Sequence, residues 1–170
     1  MGAHSAKMSG ADSWRADRVG AARRGDNPTV IAKLRSGFVA MGDTQFLPGY
    51  CVLIADADEV DHLTDLPRPQ RQQFLTDLGL LGEALMAACP ACDPAFSRLN
   101  YEILGNQWRH LHGHVFPRYT WEPVEVRDGP VWWYPQQRWS DPADALGGDH
   151  DRLVEAITRE LSRVLAEAYH

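Results

Sequence analysis

The chain is 170 residues long, 44% hydrophobic and 24% charged, enough to bury one core without disulfide staples. Seventeen Lys and Arg stand against 23 Asp and Glu, a net charge of -6. That balance excludes a collagen, a coiled-coil rod, a membrane channel and a strongly basic nucleic-acid binder.

The charge is uneven. Residues 1–36 hold seven basic residues and three acids, and residues 37–170 hold ten and twenty. An acidic body predicts no nucleic-acid polymer as a partner, while a small phosphorylated ligand needs only a few local donors. Residues 1–26, rich in Ala, Gly, Arg and Asp and without a period, read as a flexible segment with Trp14 as its one anchor. Residues 27–170 then form a single domain.

Asn27-Pro28 predicts the start of a short helix, with Val30, Ile31 and Leu34 on its apolar side and Gly37 as its stop. Residues 38–41 and 50–55 are β-prone apolar runs separated by turn residues, an antiparallel strand pair. Residues 56–67 are acidic, with a helical turn near 60–63. Over 69–88, Phe74, Leu78, Leu81 and Leu85 fall at i, i+4, i+7 and i+11, one face of a long helix. Gly79 and Gly82 inside it suggest close packing on a sheet, and Pro90 and Pro94 end it.

Residues 96–104 and 110–119 are two further strands joined by Gly105-Asn106-Gln107. Residues 120–142 hold four of the six tryptophans and form an ordered loop. Residues 151–168 form a C-terminal helix with Leu153, Ile157, Leu161, Val164 and Leu165 on one side. Strands in antiparallel pairs with a long helix between them make an α+β fold: an antiparallel sheet with a helix packed on one face.

Three cysteines, Cys51, Cys89 and Cys92, and no hydrophobic leader at residues 1–7 predict a cytoplasmic protein. Cys89 and Cys92 have no second pair to complete a zinc ribbon and read as small residues at a helix end. No apolar run reaches the ~18 residues of a membrane span, so no membrane partner is predicted.

The informative motif is His110-Leu111-His112-Gly113-His114. In a strand, residues i, i+2 and i+4 share a face, so the three imidazoles point one way and Leu111, Gly113 and Val115 point to the core. A buried row of imidazoles would need partners for six ring nitrogens, which is costly. Two functional readings compete. One is a metal site, but neighbours on one face lie roughly 6.7 Å apart and the ends of the row roughly 13 Å apart, poor geometry for one ion. The other is nucleophilic catalysis at phosphorus by a neutral imidazole, with its neighbours donating to phosphate oxygens. No metal and no cofactor are predicted.

This motif, followed by Val115-Phe116-Pro117-Arg118, resembles that of the histidine triad (HIT) superfamily. Residues 99–107, Leu-Asn-Tyr-Glu-Ile-Leu-Gly-Asn-Gln, resemble the preceding strand and loop of that family. Residues 46–54, Phe-Leu-Pro-Gly-Tyr-Cys-Val-Leu-Ile, resemble its Pro-Gly-His strand entry. The resemblance spans about residues 36–119 and leans toward the bacterial diadenosine polyphosphate hydrolase-like branch.

It implies an enzyme that hydrolyses or transfers nucleotides at the α-phosphate of nucleoside phosphoramidates or dinucleoside polyphosphates. It implies His112 as the nucleophile, His110 and His114 as its supports, Asn100, Asn106 and Gln107 near phosphate, and Asp43 on the ribose hydroxyls. It also implies a homodimer. The chain departs from the pattern at Tyr50, where the family has His, at the loop 105–107, where Gly-Gln is offset by one, and at Gly113, where a bulkier residue is usual. Phe38 is a candidate to flank the base, and Trp121, Trp132, Trp133 and Trp139 are candidate pocket walls. Two rival functions stay open: a nucleotide-binding regulatory protein with little turnover, and a metal-dependent hydrolase.

Overall fold

The structure, a computed structural model, describes residues 10–169. Five strands form one antiparallel sheet: β1 (Val30–Lys33), β2 (Gly37–Met41), β3 (Cys51–Ala55), β4 (Phe96–Glu102) and β5 (His112–Tyr119). Their order is β1-β2-β3-β5-β4. Two long helices, α2 (Arg68–Cys92) and α4 (Asp151–Ala168), cover one face, and α1 (Arg18–Arg24) and α3 (Val124–Arg127) are short. The predicted α+β architecture is the one observed.

The core lies between α2, α4 and the sheet. Phe74, Leu78, Leu81 and Leu85 are all buried there, with Val39, Leu53 and Val115 from the strands and Ile157 and Leu161 from α4. Burial of each such side chain contributes about 1.5–3 kcal/mol. By length and composition α2 could cross a membrane, contrary to the expectation that no run qualified. Here its apolar face lies on the sheet. Asp77 ties it to the β1–β2 turn: its buried carboxylate accepts from Ser36 N (2.7 Å), Ser36 Oγ (2.6 Å), Gln73 and Tyr169.

Four local expectations are corrected. Residues 30–33 form a strand rather than a helix, because β-branched Val30 and Ile31 add an edge to β2 and the ladder overrides the Asn-Pro cap signal. Asn27 instead caps the turn, accepting from Thr29 N and Oγ1. Pro90 lies within α2, which runs to Cys92. So close to the helix end, the missing N–H costs one bond, and Asp93 N closes the helix on Cys89 O. Of the two helix glycines only Gly82 serves packing, since a Cβ there would meet the Tyr101 hydroxyl; Gly79 is exposed with open space around it.

The fourth concerns the basic front end. Residues 1–9 lie outside the described residues. Residues 10–24, read as flexible, form a 3-10 helix (Gly10–Ala16) and α1, docked on the sheet's histidine face. Trp14 is the expected anchor and is buried, with the guanidinium groups of Arg15 and Arg18 at 4.4 and 5.0 Å from its ring. Ion pairs hold the segment: Arg15 and Arg18 to Asp43, and Arg23 to Asp56 and Asp58. Charge complementarity with an acidic body explains why a segment with few apolar residues docks.

Candidate active site

The second sheet face carries the site. In β5, Gly113 faces Leu78 of α2, so His112 and His114 point the other way. Opposite them Ile54 pairs with His112 and Val52 with His114, and Ala40 continues the floor beside Val52. A cavity of about 340 Å³ opens above this floor, bounded also by Arg18, Asp43, Tyr50, Trp108, Gln136 and Trp139.

His110 is not part of the row. β5 begins at His112, and His110 sits in the bend before it, stacked on Trp108. Its Nε2 donates to Ala55 O at 2.8 Å, and its own carbonyl accepts from His112 Nδ1 at 2.6 Å. A carbonyl can only accept, so the His112 proton is on Nδ1 and the lone pair on Nε2. Burial holds the His112 pKa below its ordinary value, so the ring is neutral at pH 7.

His114 lies beside it, ring centroids 4.7 Å apart and near perpendicular. Burial, with a smaller contribution from His112, pushes the His114 pKa down to about 3. Its Nδ1 is 2.7 Å from the Tyr50 hydroxyl. Burial pushes the Tyr50 pKa well above the usual phenol range, so the phenol stays protonated. Tyr50 is stacked on Phe116, centroids 4.2 Å apart. Two glycines make this possible. Gly49 takes φ +90°, a conformation that favours glycine, and Gly42 lets the Tyr50 ring lie on its backbone, where a Cβ would sit 2.1 Å from the ring.

The other predicted residues divide. Gln107 and Asp43 line the cavity with His112 and His114, whereas Asn106 and Asn100 do not. Asp43 binds Arg18 through both oxygens, at 3.2 and 2.5 Å, and Arg15 at 2.6 Å. Asn100 Oδ1 accepts from Arg118 at 2.6 Å. Arg118 in turn donates to Glu122 and to the carbonyls of Val126, Arg127 and Gly129, fixing the segment over that end of the sheet. Phe38 is buried and capped by Lys33.

Of the tryptophans, Trp139 walls the cavity and stacks on Trp132 at 4.5 Å. Trp121 stacks on Tyr119, outside the cavity, and Trp133 is exposed. Sequence reading missed Trp108, Arg18 and Gln136. Trp108 was findable, being two residues before the motif; Arg18 had no local signal because its partner is 25 residues away. Cys51, Cys89 and Cys92 are free, and burial raises Cys89 to about 12, so it is an inert thiol. Among the described residues no three His, Cys, Asp or Glu converge as a metal site.

No family profile matches the sequence, and no curated protein matches it. Solved structures do resemble it. A histidine triad protein from Bradyrhizobium japonicum superposes with TM-score 0.62 at 22% identity, over 82% of this chain and 94% of that one. A zinc-bound histidine triad family protein from Mycobacterium smegmatis gives 0.57 at 18%, over 93% and 99%. A hypothetical histidine triad nucleotide-binding protein from Sulfolobus tokodaii gives 0.59 at 14%, over 86% and 92%. With a five-stranded antiparallel sheet and His112 and His114 side by side on its open face, this chain has the fold of the histidine triad proteins.

Proposed function

We propose that the chain is a nucleotide hydrolase or nucleotidyl transferase that cuts at an α-phosphate through a nucleotidyl-His112 intermediate. The observation that carries this reading is the His112 Nδ1–H bond to the His110 carbonyl at 2.6 Å, which leaves a neutral Nε2 lone pair in a cavity. Nε2 attacks phosphorus, a P–N bond forms, and the leaving group departs with the electrons of its bond to phosphorus. Water then attacks, the P–N bond breaks, its electrons return to Nε2, and the water proton is released. The His110 carbonyl stabilises the cationic ring that forms on attack. The Tyr50 hydroxyl and His114 Nδ1 share a hydrogen bond at 2.7 Å; in the tautomer in which Tyr50 donates, the His114 proton stands on Nε2, ready to donate to a phosphate oxygen.

Nucleotide recognition draws on the aromatic walls Trp108 and Trp139, since base faces stack on indoles. The experiment is acid quench after mixing with a nucleoside phosphoramidate or dinucleoside polyphosphate, followed by intact mass. A nucleotidyl mass shift on wild type, absent in His112→Asn, is the expected result. Nucleotide binding with no shift and no turnover would favour a regulatory binding protein. Turnover abolished by a chelator would favour the metal-dependent alternative.

The protein also pairs with a second copy. β4 is an end strand of the sheet, and Tyr101, Ile103 and Leu104 are exposed at and just beyond its end, an open edge that natural proteins cover or blunt. Light scattering at micromolar concentration should give a dimer mass, and Ile103→Lys should lower it toward the monomer.

A further inference from the structure

A second cavity, about 410 Å³, lies next to the first and shares two residues with it, Arg18 and Trp108. Its other walls bring Arg15, Arg23, Arg109 and His110 together. Four arginines there face three carboxylates, Asp17, Asp58 and Glu59. Two of those carboxylates are already engaged, Asp17 by Arg24 and Gly20 N, and Asp58 by Arg23. Arg109 is exposed and has no ion-pair partner among the described residues. Arg15 and Arg18 already bind Asp43, and Arg23 binds Asp56 as well as Asp58, so the resting cavity is close to charge-balanced; three of its four arginines come from the basic front end.

Arg18 is also the one Lys or Arg among the described residues lining the histidine cavity. Its guanidinium is engaged on both nitrogens by Asp43, a planar fork that suits carboxylate and phosphate alike. Asp43 is about one-third exposed, so its pair with Arg18 is reachable by solvent and by a competing anion.

We infer that this arginine-lined cavity is an anion site for a phosphate chain, in which Arg18 exchanges its resting partner Asp43 for phosphate and Arg109 engages the chain further out. The inference rests on the nucleotidyl-transfer reading only for what the chain is attached to: the site would hold the phosphates beyond the one attacked by His112. A phosphate leaving group suits this surrounding, because it departs as an anion.

The test is calorimetric titration of the full chain with tripolyphosphate at low salt, for wild type, Arg18→Ala, Arg109→Ala and Asp43→Asn, with circular dichroism as the folding control. Tripolyphosphate should bind wild type. Each arginine variant should weaken it tenfold or more, and Asp43→Asn should tighten it several-fold by removing the competing carboxylate. Added salt should weaken binding throughout. No binding to wild type, arginine variants that bind like wild type, or weaker binding in Asp43→Asn would overturn the inference. A trapped nucleotidyl-His112 without tripolyphosphate binding removes this site alone. Tripolyphosphate binding with the expected variant pattern but no trapped nucleotide removes the transfer reading alone.

Discussion

The Tyr50 hydroxyl lies 2.7 Å from Nδ1 of His114, so a phenol holds the ring that borders His112. A phenol that burial keeps protonated can serve as a donor with no charge of its own. Tyr50→Phe removes that donor and keeps the stack on Phe116. A net hydrogen bond contributes about 0.5–1.5 kcal/mol, so turnover should fall by up to about tenfold. Single-turnover rates with nucleotidyl-enzyme trapping check this. The intermediate should form more slowly yet still form.

Stability should fall with acid in a way that depends on His114. The unfolded ring protonates near its ordinary value of 6.5, whereas the folded ring resists protonation down to about 3. Between those values the unfolded state binds the extra proton, so stability rises with pH and is lost as pH falls below about 6.5. The slope from one such group is about 1.4 kcal/mol per pH unit. Melting curves at pH 7, 5.5 and 4.5 should show a shallower loss for His114→Gln than for wild type. Parallel losses would contradict the assignment.

Gly113 matters for what lies beneath the histidines. A Cβ there would sit 2.9 and 3.1 Å from the two methyl carbons of Leu78. Gly113→Val should therefore cost about 1–3 kcal/mol by overpacking. At this chain length each kcal/mol lowers Tm by about 2–4 °C. Leu78→Ala alone should cost about 2–5 kcal/mol. The double variant should lose less than the two single losses combined, because the new methyls occupy the vacated space. Strict additivity in thermal melts would count against this contact.

Arg118 and Glu122 form a buried pair, with side chains 3% and 0% exposed. Glu122 also accepts from Tyr119 N at 2.6 Å and Tyr134 Oη at 2.8 Å. Arg118→Met would leave this carboxylate buried without its charge partner, a loss of about 3–5 kcal/mol. Arg118→Met with Glu122→Leu should recover part of that loss. Denaturant midpoints of the three proteins decide it.

Much of the fold was legible in the sequence. The 3.6-residue period through Phe74, Leu78, Leu81 and Leu85 marked the long helix, and short β-prone apolar runs between turn residues marked β2 and β3. These signals are local: one buried face imposes its period on neighbouring residues. The same holds for His112 and His114, whose spacing of two puts them on one face of whichever strand carries them. His110 and residues 30–33 depart from the sequence expectation, and Arg18 gave no signal at all, for the opposite reason. The bend that turns His110 toward Ala55 O, the ion pair that brings Arg18 to Asp43, and the ladder that makes an edge strand of Val30–Lys33 each join residues far apart in the chain. A period carries no information about a partner 25 or 55 residues away, so the partition of charge around the histidines was decided by the tertiary structure alone.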